Sequence, residues 1–167
     1  MYNTGMENRK KRVYVDSTVV SGMFDYHLPE RVLHTTHFWD AMQRGEFVII
    51  ASDVQEDELR KAPIHVRDFF AALPESQIDR IISTSESDAL AAQYIDAKVI
   101  SENHMNDCKH VALATIAHAD AVVSWNCGDM VNPHRIPKYN EANEKHDYQE
   151  IKILTPNEFM EAYHGKN

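Results

Sequence analysis

Two short runs constrain this chain more than anything else in it: Phe47-Val48-Ile49-Ile50 and Ala121-Val122-Val123-Ser124-Trp125. Each has strand length and almost no polar side chain, so neither can keep one face in water. A strand that is apolar throughout is covered on both faces, as in a parallel sheet between helical layers. Val13-Tyr14-Val15 is a third β-type run, Ile78–Ile82 a weaker one and Glu150–Leu154 a last candidate. Helix signals fall between these runs. A turn or short helix follows Asp16 through Met23, and Pro29 in a first turn opens a helix that Gly45 ends. Ser52 with Gln55 has the form of a capping box, and Pro63 starts a helix ending near Pro74. Ser85 with Asp88 opens a helix reaching Ala97, and Asp107 to Ala119 carries Val111, Ala114, Ile116 and Ala117 near core spacing. Thr155-Pro156-Asn157-Glu158 offers a cap, a first-turn proline and an acid for a last helix. This alternation predicts a three-layer α/β/α domain with a central parallel sheet.

At 167 residues and 43% hydrophobic, the chain can bury one good core. The expected organisation is one domain over 13–167 behind a flexible extension over 1–12. The basic run Arg9-Lys10-Lys11-Arg12 that closes the extension is either a solvated tail or a phosphate contact. Seventeen basic residues against 26 acidic give a net charge of −9, which argues against wrapping nucleic acid non-specifically. Cys108 and Cys127, without other disulfide signs, suit a reduced intracellular setting. No apolar run approaches the ~20 residues of a membrane span, and the polar N-terminus has no signal-peptide core. The expected location is cytoplasmic, away from membranes.

Several chemistries are excluded by their missing motifs. There is no G-x-x-x-x-G-K loop, no G-x-S-x-G elbow, no H-E-x-x-H and no cysteine pair at zinc-finger spacing. His34 and His37 stand one helical turn apart, yet surface or packing roles suit them better. Thr18 stands where an aspartyl-nucleophile phosphatase needs its second acid, so that mechanism falls too.

Three acids remain. Asp16 ends the first strand run, Glu58 lies in the opening turns of the helix after Ser52, and Asp107 opens the alanine-rich helix. Each alone is explained as a cap or first-turn acid. Together they could meet only at the C-terminal edge of a parallel sheet, where α/β proteins place their ligands. Two carboxylates ~4 Å apart repel by roughly 4 kcal/mol at an effective dielectric of 20. Either their pKa values rise or a cation sits between them. The cation is the expectation, and with it a metal-dependent hydrolase.

Val13–Val19, Ser52–Pro63 and above all Met105-Asn106-Asp107-Cys108-Lys109-His110-Val111-Ala112-Leu113-Ala114-Thr115, continued by Val123-Ser124-Trp125-Asn126, resemble PIN-domain proteins of the VapC toxin group. The resemblance runs from about Val13 to Phe159. It implies a parallel sheet flanked by helices and Mg²⁺- or Mn²⁺-dependent cleavage of RNA phosphodiesters. It also implies Asp16, Glu58 and Asp107 as metal-binding acids, a homodimer and a small antitoxin partner. Many PIN domains place an Asp where this chain has Asn126, which is neutral but can offer a carbonyl oxygen or orient a water. Asp129, a turn further on, is either the compensating metal ligand or a helix-start acid. Ser17 and Thr18 either bond the carboxylates or substrate, or cap a helix. His110, on nearly the same helix face as Asp107, either contacts substrate, holds an acid in place, or is a satisfied core histidine. Val32, Leu33, Phe38, Trp39 and Met42 are more large apolar residues than one helix face needs, so they serve a dimer interface or the domain's own core. The alternatives to an RNA-cutting toxin are a catalytically weak binding or regulatory module, and a nuclease of RNA processing or of DNA.

Overall fold

The computed structural model describes residues 9–164. Its five strands are β1 (Arg12–Val15), β2 (Val48–Ser52), β3 (Ile78–Ile81), β4 (Ala121–Val123) and β5 (Ile153–Leu154). They form one sheet in the order β3-β2-β1-β4-β5, every pairing parallel. The α-helices among the described residues are α1 (Ser17–Ser21), α2 (Pro29–Gln43), α3 (Asp53–Arg60), α4 (Ile64–Ala71), α5 (Ser85–Asp96), α6 (Met105–Ile116), α7 (Ile136–Lys145) and α8 (Pro156–His164).

The apolar strands are buried on both faces because each alternates between two cores. Val13, Val15, Ile49, Ala51, Ala121 and Val123 point to one side, against Phe38, Trp39 and Met42 of α2, Phe70 of α4 and Phe159 of α8. Tyr14, Ile50, Val122 and Ile153 point to the other, against Leu90 and Tyr94 of α5, Val111 of α6 and Tyr139 of α7. The expected three-layer α/β/α arrangement is therefore the observed one. Strand order reverses at β1: one branch of the sheet runs to β2 and β3, the other to β4 and β5. The C-terminal ends of β1 and β4 flank that switch point, where α/β sheets open a crevice.

Helix starts follow the local chemistry, with three departures. Ser52 accepts from the Gln55 N–H at 3.2 Å, but the box is half made, because both amide atoms of the Gln55 side chain are buried without a partner among the described residues. The box that opens α5 is Thr84 with Ser87, not Ser85 with Asp88, since Thr84 has the extended backbone a cap requires. Helix α7 has no counterpart in the sequence reading: IPKYNEANEK is mostly polar and buries only Tyr139, Ala142 and Asn143. Gly45 stops α2 as expected, at φ +84°, which glycine adopts without strain.

Two sequence expectations are revised here. Over its described part the basic run is exposed at Arg9, Lys10 and Lys11 and half-buried at Arg12, and its two arginines are ion-paired. Arg9 pairs with Asp120 at 3.0 Å and Arg12 with Asp79 at 2.6 Å, both beside the N-terminal ends of strands, opposite the crevice. Residues 1–8 of the expected extension lie outside the described residues. On α2, Phe38, Trp39 and Met42 are wholly buried in the domain's own core, which leaves Leu33, half exposed, as the strongest apolar feature for another chain.

Candidate metal centre

Asp16 follows β1 directly and caps α1. Its Oδ1 accepts from the Thr18 N–H at 3.1 Å and the Thr18 hydroxyl at 2.5 Å, and its Oδ2 accepts from the Ser124 hydroxyl at 2.6 Å. Thr18 Oγ1 in turn accepts from the Trp125 N–H, and Ser124 Oγ from the Asn126 N–H, each at 2.9 Å. Two hydroxyls thus tie the end of β1 to the end of β4 around one carboxylate. Burial pushes the Asp16 pKa up against the pull of His110 and of its own hydrogen bonds, and the net shift is upward. Ser17 opens α1 half-buried and takes no part in this network.

Asp107 lies in the first turn of α6 and faces the loop after β4. Asn126 donates from Nδ2 to Asp107 Oδ1 at 3.1 Å and accepts at Oδ1 from the Asp129 N–H at 3.0 Å. One neutral amide therefore ties the Asp107 carboxylate to the backbone at Asp129. His104 stands across from both, its Nδ1 3.2 Å from Asp129 Oδ2 and 3.6 Å from Asp107 Oδ2. Burial, then the charges of Asp129 and Asp16, push the Asp107 pKa up to about 6, with His110 and His104 opposing.

Glu58 sits in the second half of α3, later in the helix than expected, and approaches from the β2 side. Its Oε1 meets His110 Nε2 at 2.5 Å. Burial alone lowers the imidazole pKa, but the hydrogen bond and charge of Glu58, with Asp16 and Asp107 beyond, carry it above its ordinary value.

Among the described residues, the groups whose ligand atoms lie within 4.8 Å of one another are His104, Asp107 and Asp129. Asp16 and Glu58 stand outside that trio, yet the charge of Asp16 acts on Asp107 and that of Glu58 on Asp16. This donor set fits a divalent cation. It gathers carboxylate oxygens and one imidazole, the ligands of hard and borderline metals. Burial is the main cause of the upward shift at Asp107, and the part that Asp129 and Asp16 add is repulsion of the kind a cation relieves. The residues missed by sequence reasoning are His104, Ser124 and Tyr14. A histidine three residues before the acid, at the cap position of its helix, was the available signal for the first. A cavity of about 570 Å³, lined by Lys11, Asp120 and Lys152 among others, opens at the N-terminal ends of the strands and is remote from these acids.

Fold and site together define a three-layer α/β domain with an acidic crevice at the switch point of its sheet. No protein-family model matches the sequence, and no curated protein matches it. The fold does match the crystal structure of VapBC2 from Rickettsia felis bound to a DNA fragment from their promoter. The match has a TM-score of 0.55 and 12% sequence identity, over 86% of this chain and 98% of that one. At that identity the likeness is one of fold: the chain has a VapC-like PIN fold.

Proposed function

We propose that this chain is a Mg²⁺- or Mn²⁺-dependent endoribonuclease. The observation that carries the reading is the set of Asp16, Asp107, Asp129 and Glu58 around one crevice of a VapC-like fold. Asp107 and Asp129, with Asp16, would hold the cation, and Glu58 would join it or direct the attacking water. A bound divalent cation supplies Lewis-acid stabilisation of charge on the phosphoryl oxygens and makes water a better nucleophile. The chain's own groups do the rest. Thr18 and Ser124 hold the Asp16 carboxylate in one orientation, and Asn126 anchors the Asp107 carboxylate to the loop that carries Asp129. Ser17, half-buried beside Asp16 at the start of α1, would offer its hydroxyl to substrate. A cytoplasmic site of action follows from an RNA substrate, and no helix among the described residues is long and apolar enough to cross a membrane. The VapBC2 likeness supports a small antitoxin partner, and the half-exposed Leu33 on α2 supports a homodimer.

A second reading rests on Asn126. With an amide in place of a fourth acid, the site has one charge fewer, which favours a weakly catalytic binding module. Single-turnover cleavage of an RNA panel and a matched DNA panel, in Mg²⁺, Mn²⁺ or EDTA, decides between them. RNA cutting that EDTA abolishes is the expected result. Cutting of DNA alone moves the reading to a DNA nuclease, and no cutting with intact metal binding moves it to the binding module. Millimolar Mn²⁺ is also expected to raise the melting temperature, because the folded site binds it and the unfolded chain does not. An unchanged melting curve counts against a preformed site.

A further inference from the structure

Behind Glu58 lies a chain of hydrogen bonds that the metal reading does not use. His110 Nε2 meets Glu58 Oε1 at 2.5 Å, and its Nδ1 meets the Tyr14 hydroxyl at 2.6 Å. The Tyr14 hydroxyl meets Ser52 Oγ at 2.7 Å, and Ser52 Oγ accepts the Gln55 N–H at 3.2 Å. Tyr14, Ser52 and His110 are all buried, at 0%, 1% and 1% exposure. The chain closes on itself, because Ser52 caps α3, the helix that carries Glu58.

A buried hydroxyl or imidazole is costly unless its hydrogen bonds are made. With the ring neutral, one proton arrangement satisfies every member. Ser52 donates to Tyr14, Tyr14 donates to His110 Nδ1, and His110 Nε2–H donates to Glu58. The reverse direction leaves the Ser52 hydroxyl hydrogen without an acceptor among the described residues. With the ring protonated, both nitrogens donate and Tyr14 accepts, so the ring keeps the same orientation. Either way Tyr14 fixes the imidazole, and the imidazole fixes one oxygen of Glu58, leaving the other for a ligand. Strand geometry adds a second constraint. Tyr14 lies on β1, and Asp16 directly follows the strand with its backbone still extended, so the alternation sets the two to the same side. One strand thereby sets two carboxylates, Asp16 directly and Glu58 through two intermediates.

We infer that Tyr14, with Ser52 behind it, is a positioning residue for the metal site, acting through His110 on the orientation of Glu58. The inference rests on the metal-dependent reading above and deepens it. Neither Tyr14 nor Ser52 touches the cation or the substrate. Outer partners of this kind change metal affinity or activity by roughly 10–100-fold when removed.

The test is Mn²⁺ titration by calorimetry, alongside single-turnover RNA cleavage, on the full chain. Y14F keeps the ring in the core and removes only the hydroxyl. It is expected to weaken Mn²⁺ binding and slow cleavage about tenfold each, with an unchanged circular dichroism spectrum. H110A should do the same, and H110Q, whose amide can still donate to Glu58, should recover most of the loss. Acting in series, Tyr14 and His110 should be non-additive, so Y14F combined with H110A should be no worse than H110A alone. Wild-type Mn²⁺ affinity in Y14F overturns the inference and leaves the metal reading standing. Should Y14F fail to fold, equal affinities of H110A and H110Q overturn it. A wild-type chain that binds no Mn²⁺ removes the metal reading, and this inference with it.

Discussion

D107N is expected to make the metal-free protein more stable and the nuclease inactive. In the folded chain Asp107 titrates near about 6, against 3.8 when unfolded. The folded state therefore holds this proton more tightly than the unfolded state does. Its contribution to stability is complete below pH 3.8 and is lost as pH rises through about 6. The loss above that window is on the order of 3 kcal/mol, at 1.36 kcal/mol per pKa unit. Asn at 107 removes the charge and can still present an oxygen to Asn126. Near pH 7.5 without metal, D107N should melt roughly 6–12 °C above wild type, and the gap should close towards pH 4. The same variant should lose cleavage by about a hundredfold or more, because a cation-stabilised transition state draws several kcal/mol from its ligands. Melting curves from pH 4 to 8 in EDTA, with cleavage rates in Mn²⁺, check both halves. A D107N that melts with wild type at pH 7.5 removes the claim that burial and neighbouring like charge penalise the Asp107 carboxylate in the metal-free fold.

N126D reverses the sign. It sets a carboxylate where an amide now donates to Asp107 Oδ1 at 3.1 Å, while the bond from the Asp129 N–H survives. Repulsion between two acids at such range is about 4 kcal/mol at an effective dielectric of 20. The metal-free protein should therefore lose several kcal/mol at neutral pH, and Mn²⁺ should bind roughly tenfold more tightly, because a cation relieves that repulsion. Calorimetry with and without Mn²⁺ measures both quantities. If neither moves, position 126 lies outside the cation's field. The two variants thus probe one electrostatic balance from opposite sides.

How much of this was readable from the residues depended on whether a feature is local. The strands were legible because burial on both faces leaves an apolar run that few other structures produce, and Asp16 because it ends such a run. Boundaries drifted by a residue or two where caps decided them: Thr84 rather than Ser85 starts α5, since backbone conformation, not residue type, selects the cap. Helix α7 was invisible because a mostly polar segment that buries three residues has little apolar periodicity to read. At the site, the acids stood out one at a time, and their partners did not. Ser124 looked like the polar end of a strand, Tyr14 like a large core residue, and His104 like an exposed histidine. Each matters only through a neighbour that the fold supplies: Asp16 for Ser124, His110 for Tyr14, Asp129 for His104. Asn126 stands beside Asp107, and its second bond, from the Asp129 N–H, has no sequence signature.

The hydroxyl bridge from Ser124 to Asp16 joins residues 108 positions apart. Ribosomes deliver a chain from its N-terminus, so Asp16 and Glu58 emerge long before the loop that completes their surroundings. Until β4 has paired with β1, Thr18 lacks the Trp125 N–H, Asp16 lacks Ser124, and Asp107 lacks Asn126. A nascent or truncated chain ending before that loop carries several of the acids but not the crevice. Under the proposed nuclease reading, connectivity sets the timing: the crevice cannot be complete until Asp129, residue 129 of 167, has been made.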